Sequence, residues 1–276
     1  MNRLEEQIMQ NFFENIEPDV LSKVYANPHK FGYSQYLEII KSRLPDYKIN
    51  TMLDVGCGEG TPLVNYLKMG YDAEGIDYSN NVLKLAKKNL LDNGYTDSLV
   101  SWYDITKQLP DKKYDCINCI GVLPHIVDQE LVIQRFSEHL NKDGVMFLQF
   151  RNLLFSMFYL NQFTREIFMN ELLPRDKLDK IEKDVTKFLD DKLSTTIINI
   201  DNIYHHDNNP LEIDNMFKLL GLKIVNKIFA HYHALPPIFE YSHPEQFHEL
   251  SKDWRECQDW RGNFMCSSFI MEVQKI

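Results

Sequence analysis

Apolar residues recur at helical spacing in the first fifty positions: Leu4, Ile8 and Phe12 form one stripe within 3–16, and Tyr36, Ile39, Ile40 and Leu44 form another within 34–44. From Thr51 the pattern changes to short apolar runs separated by helical stretches, the alternation expected of repeated βαβ units around a mainly parallel sheet. Strands are predicted over 52–55, 71–76, 98–102, 114–120 and 145–150, with helices over 61–69, 82–91 and 129–140. Gly144 marks the turn into the fifth strand. Beyond Asn209, a helix over 210–220 stops at Gly221, and strands over 222–229 and 264–273 bring the number to seven.

Between 151 and 209 this rhythm breaks, and a helix-rich insertion that includes 177–189 is expected to form a cap. Its opening run, Leu153 to Leu160, is strongly apolar but far shorter than the roughly 18 residues of a membrane span, so burial against the sheet or a second subunit is expected. The second case would make a homodimer. The chain therefore divides into N-terminal helices (1–50), a cofactor-binding core (51–150), a cap (151–209) and a segment completing the sheet (210–276).

Composition narrows the functions available. The chain has 276 residues and is 44% hydrophobic, enough for a well-packed core. Its 40 acidic against 30 basic residues give a net charge of −10, which repels a phosphate backbone and argues against nucleic acid as the main partner. Cys57, Cys116, Cys119, Cys257 and Cys266 are expected to be reduced and unpaired. Cys116 and Cys119 have the spacing of a redox or zinc pair, but no second pair accompanies them and strand geometry turns them to opposite faces. The acidic start, Met1-Asn2-Arg3-Leu4-Glu5-Glu6, lacks the basic and apolar run of a signal peptide, and a cytoplasmic location is expected.

The candidate chemistry starts at Asp54-Val55-Gly56-Cys57-Gly58-Glu59-Gly60, between a predicted strand and a predicted helix. Glycines there permit positive φ and close approach of a ligand, and the first βα turn of an open parallel sheet lies at the ligand-binding edge. Dinucleotide enzymes favour G-x-G-x-x-G, whereas this loop is G-x-G-x-G, with Thr61 in the sixth position and Glu59 placed to repel a pyrophosphate. A phosphate-free cofactor with an amino-acid end and a positive sulfonium suits the carboxylates better than NAD.

Residues 51 to about 150 resemble the class I S-adenosylmethionine-dependent methyltransferases, whose motifs recur in order. That resemblance implies a Rossmann-like seven-stranded, mainly parallel sheet with helices on both faces and a helical cap insertion. It implies that Asp54, Gly56, Cys57 and Gly58 hold the methionine end of S-adenosylmethionine and that Asp77 accepts the ribose hydroxyls. By the same resemblance Asp104 contacts the adenine amino group, Tyr78 and Ile105 wall the adenine slot, and Gly121 closes the fourth motif. A looser likeness, from Phe150-Arg151-Asn152 to Trp260-Arg261-Gly262, is to methyltransferases of bacterial surface polysaccharides. It implies O-methylation of a sugar, sugar nucleotide, or capsule or lipopolysaccharide precursor. N- or carboxyl-methylation of a small metabolite, and a non-catalytic subunit that binds the cofactor, are the competing readings.

Methyl transfer needs a base only where the acceptor must lose a proton. His125, after the fourth strand, either serves as that base or packs against the following helix. His205, His206 and Asp207 form a second cluster, and His231, Tyr232 and His233 a third. Either could supply a base, bind the acceptor or collect a metal, and no metal is assigned. Arg151 either clamps an anionic acceptor or pairs with a surface acid. Trp254 and Trp260 either stack on a sugar or cover the core.

Overall fold

The computed structural model describes residues 32–173, 182–193, 206–240 and 242–275. The expected helix over 3–16 lies outside them. Helix α1 (Gly32–Arg43) is followed by strand β1 (Thr51–Val55), α2 (Thr61–Lys68), β2 (Asp72–Asp77), α3 (Asn80–Asp92), β3 (Val100–Trp102) and β4 (Tyr114–Cys119). Then come α4 (Gln129–Glu138), β5 (Leu140–Asn152), the short helix α5 (Gln162–Ile167) and α6 (Glu182–Lys192). The chain continues through β6 (Asp207–Asn208), α7 (Asp214–Leu219), β7 (Leu222–Tyr232), α8 (Pro244–Ser251), α9 (Gly262–Met265) and β8 (Cys266–Lys275).

The strands form one sheet in the order β3-β2-β1-β4-β5-β8-β7, with β6 beside the end of β5. β8 runs antiparallel between β5 and β7, and the remaining pairs are parallel. This is a Rossmann-like arrangement, and the parallel strands deliver their C-terminal ends to one edge. The sequence pattern predicts seven strands. The eighth, β6, has only two residues and no periodicity to betray it. It pairs Arg151 with Asp207 and Asn152 with Asn208 where β4 has already ended.

Apolar side chains bury both faces of the sheet. One layer gathers Val55, Ile117, Ile133, Phe136, Phe150, Phe217 and Phe269, and the other Ile39, Ile40, Leu63, Leu83, Ala86 and Phe147. Helix α3 shows why the sequence folds locally as it does: Ser79 caps it by accepting from the Val82 amide, while Val82, Leu83, Ala86 and Leu90 form its buried stripe. All five cysteines are free and buried. The apolar run after β5 folds as a 3-10 helix, Leu153–Phe158, with Phe155 buried.

Several boundaries differ from the pattern, three of them for a visible reason. β5 begins at Leu140, because Tyr114 pairs with Leu140 and the ladder resumes at Cys116 and Val145 across a bulge. Gly144 thus lies inside the strand, where a Cβ would meet Leu140 Cγ at 2.8 Å and the Asp115 carbonyl at 3.0 Å. The helix predicted over 210–220 is regular only from Asp214, since the Asn209 side chain ties the Leu211 amide in a turn around Pro210. The last strand begins at Cys266, with α9 occupying the preceding positions.

A carboxylate is buried in the antiparallel part of the sheet. Glu272 on β8 is fully buried and receives two Arg43 hydrogen bonds, at 3.1 Å from Nε and 3.0 Å from Nη2, together with the Tyr47 hydroxyl. A buried carboxylate deprived of its cation is costly, but Tyr47 would still donate. Arg43→Ala is therefore expected to lower stability by about 2 kcal/mol in urea unfolding. Unchanged stability would show that the pair contributes nothing net.

Candidate cofactor and acceptor site

The turn after β1 is shaped by its glycines. Gly56 has φ 70°, and a Cβ there would lie 2.1 Å from Val122 Cγ2, so the β1 and β4 loops approach only because it has no side chain. Gly58 has φ 55°, and nothing lies within 4 Å of where its Cβ would stand, so its backbone faces open space. The Gly56 and Cys57 amides donate to the Ile76 carbonyl at 2.8 and 3.0 Å. Asp77, at the end of β2, accepts from the Gly58 amide at 3.0 Å and from the Ser79 amide at 2.9 Å. Its pKa is nevertheless raised, because burial outweighs those amide contacts.

Asp54 is buried at the end of β1. Its Oδ1 accepts from Asn118 Nδ2 at 2.8 Å, and the same amide group reaches the Tyr66 hydroxyl at 3.2 Å. Asp54 Oδ2 and Asn118 Oδ1 are both buried without a hydrogen-bond partner among the described residues. Two orphaned acceptors beside an open glycine turn fit a positively charged donor, such as the amino-acid end of S-adenosylmethionine. Burial, opposed by Asn118 and reinforced by the Asp77 charge, pushes Asp54 up to about 7.

This yields a linkage prediction. A cationic ligand favours ionised Asp54, so S-adenosylmethionine binding is expected to release protons near pH 7 and to weaken up to tenfold per pH unit below it. Calorimetry in buffers of different ionisation enthalpy checks this. Equal heats across buffers, or the same proton release in Asp54→Asn, would sink the assignment.

Further along the edge, the Tyr78 and Trp102 rings lie 5.5 Å apart in a tilted pair, and Ile105 is buried. Asp104 is buried; Oδ1 accepts from the Thr106 amide at 3.0 Å and hydroxyl at 2.6 Å, and Oδ2 lies 2.8 Å from Lys107 Nζ. Burial works against its charge, yet Lys107 and Thr106 hold its pKa below the ordinary carboxylate value. Sequence reasoning missed Trp102, although an aromatic residue closing a strand at the ligand edge was the available signal. Gln149 was missed too: from β5 its Oε1 accepts the Gly121 amide at 2.9 Å and fixes the turn after β4.

On the acceptor side, His125 ends a 3-10 turn, Leu123–His125, and is half-buried. The His206 amide donates to the Pro124 carbonyl at 2.7 Å and brings β6 alongside, while the His206 side chain is exposed. His205 lies outside the described residues. Arg151 Nε donates to Asp207 Oδ1 at 2.9 Å, an ion pair within the site rather than on the open surface. Tyr159 packs at 4.9 Å from the Phe155 ring and 5.2 Å from Phe163, close enough to Arg151 and Asp207 to feel their charges.

His231, near the end of β7, has φ 55°, a left-handed conformation that a branched-Cβ-free but bulky side chain rarely adopts. Its amide donates to Gln35 Oε1 at 2.9 Å, and its Nδ1 lies 2.6 Å from Ser267 Oγ. Burial and the neighbouring Arg151 charge push its pKa down to about 4. Tyr232 departs from the sequence expectation: strand alternation turns it to the opposite face, where it is buried with Cys257 and Cys266. Trp254 is buried and Trp260 exposed, so the two do not form one platform. Among the described residues, no group of three or more His, Cys, Asp or Glu is placed to hold a metal ion, and no helix is long and apolar enough to cross a membrane.

Residues 48–188 match the family model described as a methyltransferase domain, and the chain belongs to that family. Among its relatives, the ubiquinone biosynthesis O-methyltransferase of Hydrogenovibrio crunogenus is 27% identical over 153 residues, 54% of this chain and 59% of that one. The enzyme of the same name from Haemophilus ducreyi is 30% identical over 127 residues, 44% of this chain and 51% of that one. The chain thus spans about half the length of the curated relatives it matches. Magnesium protoporphyrin IX methyltransferase from Synechocystis PCC 6803, solved with SAH bound, superposes with a TM-score of 0.59 at 14% identity, covering 99% of this chain and all of that one. A putative S-adenosylmethionine-dependent methyltransferase from Listeria monocytogenes gives 0.54 at 15% identity over 87% of this chain and 97% of that one. These relatives carry no polysaccharide in their names, so the finer family likeness suggested by the sequence finds no support among them.

Proposed function

We propose that the chain transfers the methyl group of S-adenosylmethionine to a hydroxyl of an acceptor held between the ends of β5 and β7. The observation that carries the cofactor assignment is the pair of orphaned acceptors, Asp54 Oδ2 and Asn118 Oδ1, beside the open backbone of Gly58. In this reading Asp54 and the 56–58 turn bind the methionine end, Asp77 accepts the ribose hydroxyls, and Tyr78, Trp102, Asp104 and Ile105 enclose the adenine. The cofactor supplies an electrophilic methyl on a sulfonium, and the protein supplies alignment. Gly121 and Gln149 fix the turn between the two ligands.

The acceptor reading rests on the mixed character of the far side. Arg151, Asp207, Tyr159 and His231 offer donors and acceptors together, flanked by the aromatic rings of Phe155 and Phe163. Such a lining suits a sugar or sugar nucleotide, whose hydroxyls both donate and accept while its carbon–hydrogen face rests on a ring. His125, half-buried beside β6, is the group proposed to take the hydroxyl proton. A phenolic hydroxyl is the second reading, favoured by the relatives named for ubiquinone biosynthesis.

The test is transfer of labelled methyl from S-adenosylmethionine to sugar nucleotides and to substituted phenols in parallel. Turnover on the sugar panel supports the first reading, and turnover on phenols alone selects the second. Absence of S-adenosylmethionine binding would overturn both. Full turnover in His125→Ala would reject that residue as the base.

A further inference from the structure

His233 is the least satisfied polar side chain on the acceptor side. It is only 7% exposed, and both its ring nitrogens are buried without a hydrogen-bond partner among the described residues. Its surroundings are rings: Phe155 at 4.8 Å, His231 at 4.7 Å and Phe247 at 5.5 Å between centroids. Its backbone is fully engaged, since its amide donates to the Met265 carbonyl at 2.8 Å. Only the imidazole lacks partners.

Buried polar groups in native proteins are nearly always paired, and leaving a donor and an acceptor unmet costs on the order of 1–3 kcal/mol each. A phenylalanine would fill this aromatic nest without that penalty. The imidazole therefore points to a partner supplied from outside the chain. Three features indicate where it enters. Phe155 leads from the end of β5, Phe247 lies on the inner face of α8, and His231 joins the nest to Arg151. The nest thus borders the residues proposed for the acceptor, with Phe247 of α8 packed against the His233 ring.

The chemistry of the partner follows from the ring. Burial, with the adjacent His231 and His248, keeps His233 neutral, so one nitrogen donates and the other accepts. A carboxylate or phosphate could answer only the donor, and an ammonium only the acceptor, and either would place a charge among phenyl rings. A hydroxyl can meet either nitrogen, as acceptor to one or as donor to the other, without bringing a charge. We propose that His233 is a specificity-determining residue that binds an uncharged hydroxyl of the methyl acceptor within the Phe155–Phe247 nest, reached when α8 moves aside. This rests on the hydroxyl-acceptor reading given above and adds to it the residue that recognises a second, unreacting hydroxyl.

The test compares the wild-type chain with His233→Phe and His233→Gln, using an acceptor on which the wild type turns over. With His233→Phe, KM for the acceptor is expected to rise about tenfold or more, the loss of one hydrogen bond to a buried group, while KM for S-adenosylmethionine stays put. His233→Gln, which keeps a donor and an acceptor, is expected to recover part of that loss. The deoxy analogue lacking the recognised hydroxyl should be handled equally by wild type and His233→Phe. An acceptor KM unchanged in His233→Phe overturns the inference while leaving the hydroxyl-acceptor reading intact. Melting of the ligand-free proteins at pH 7.5 adds a readout that needs no acceptor. His233→Phe should melt at or above the wild-type temperature, and a clear drop would mean that an internal partner already satisfies the ring.

Discussion

Asp77→Ala is expected to weaken S-adenosylmethionine binding by about a hundredfold or more. The carboxylate accepts from the Gly58 and Ser79 amides at 3.0 and 2.9 Å, so it holds the glycine turn against the start of α3 before any ligand arrives. Each oxygen keeps a lone pair for a ribose hydroxyl, and a hydrogen bond to a charged group contributes about 1.5–3 kcal/mol. Losing two such bonds, together with the anchor of the turn, amounts to about 3 kcal/mol or more, which is at least two decades in affinity. Asp77→Asn separates the two roles. One amide oxygen can still accept from the turn, so its loss should be intermediate and its apo melting temperature close to wild type. Titration calorimetry with S-adenosylmethionine and S-adenosylhomocysteine measures both variants. A dissociation constant within threefold of wild type for Asp77→Ala would remove this residue from the cofactor site and leave the orphaned Asp54 without its neighbouring contact.

The residues proposed for the cofactor were easy to single out in the sequence because they are local. Asp54 to Gly60 is one continuous turn, and Asp77 and Asp104 each close a short strand whose apolar pattern announces its end. The residues proposed for the acceptor are not local. Arg151 meets Asp207 across 56 positions through a two-residue strand, and His231 is held by Gln35 from 196 positions away. No periodicity signals either contact. Tyr232 and His233 also show what a bare cluster of polar letters hides. Adjacent strand residues face opposite ways, so Tyr232 goes into the core with Cys257 and Cys266 while His231 and His233 meet ring to ring. Gly144 carried a correct physical signal in a misplaced role, since its lack of a Cβ serves a bulge inside β5 rather than the turn before it.

The histidines at the end of β7 give the protein an acid-sensitive corner. In the folded chain His231 titrates near 4, through burial and the Arg151 charge, and His233 is held well below the ordinary value of 6.5 by burial and by His231 and His248. The charged and titratable groups around them are Arg151, His248 and, 3.6 Å from His248 Nε2, Glu240, with Ser267 hydrogen-bonded to His231. A histidine whose folded pKa is depressed contributes fully above its unfolded pKa, and that stability is lost as pH falls from about 6.5 towards the folded value. Each unit between 6.5 and the folded value costs about 1.4 kcal/mol, so at pH 5 His231 withdraws about 2 kcal/mol relative to pH 7.5, and His233 acts in the same direction. Asp54, whose folded pKa is raised to about 7, acts in the opposite sense and gains stability over the same interval, and Asp77, also raised, acts in that same sense. The net curve of the wild type therefore understates the histidine contribution, and the difference between proteins isolates it. His233→Phe is expected to match or exceed wild-type stability at pH 7.5 and to exceed it by a wider margin at pH 5, measured by urea unfolding at both values. A difference that does not change with pH would mean that His233 is already protonated or already paired in the folded chain. It would then be unavailable as the neutral partner of an acceptor hydroxyl.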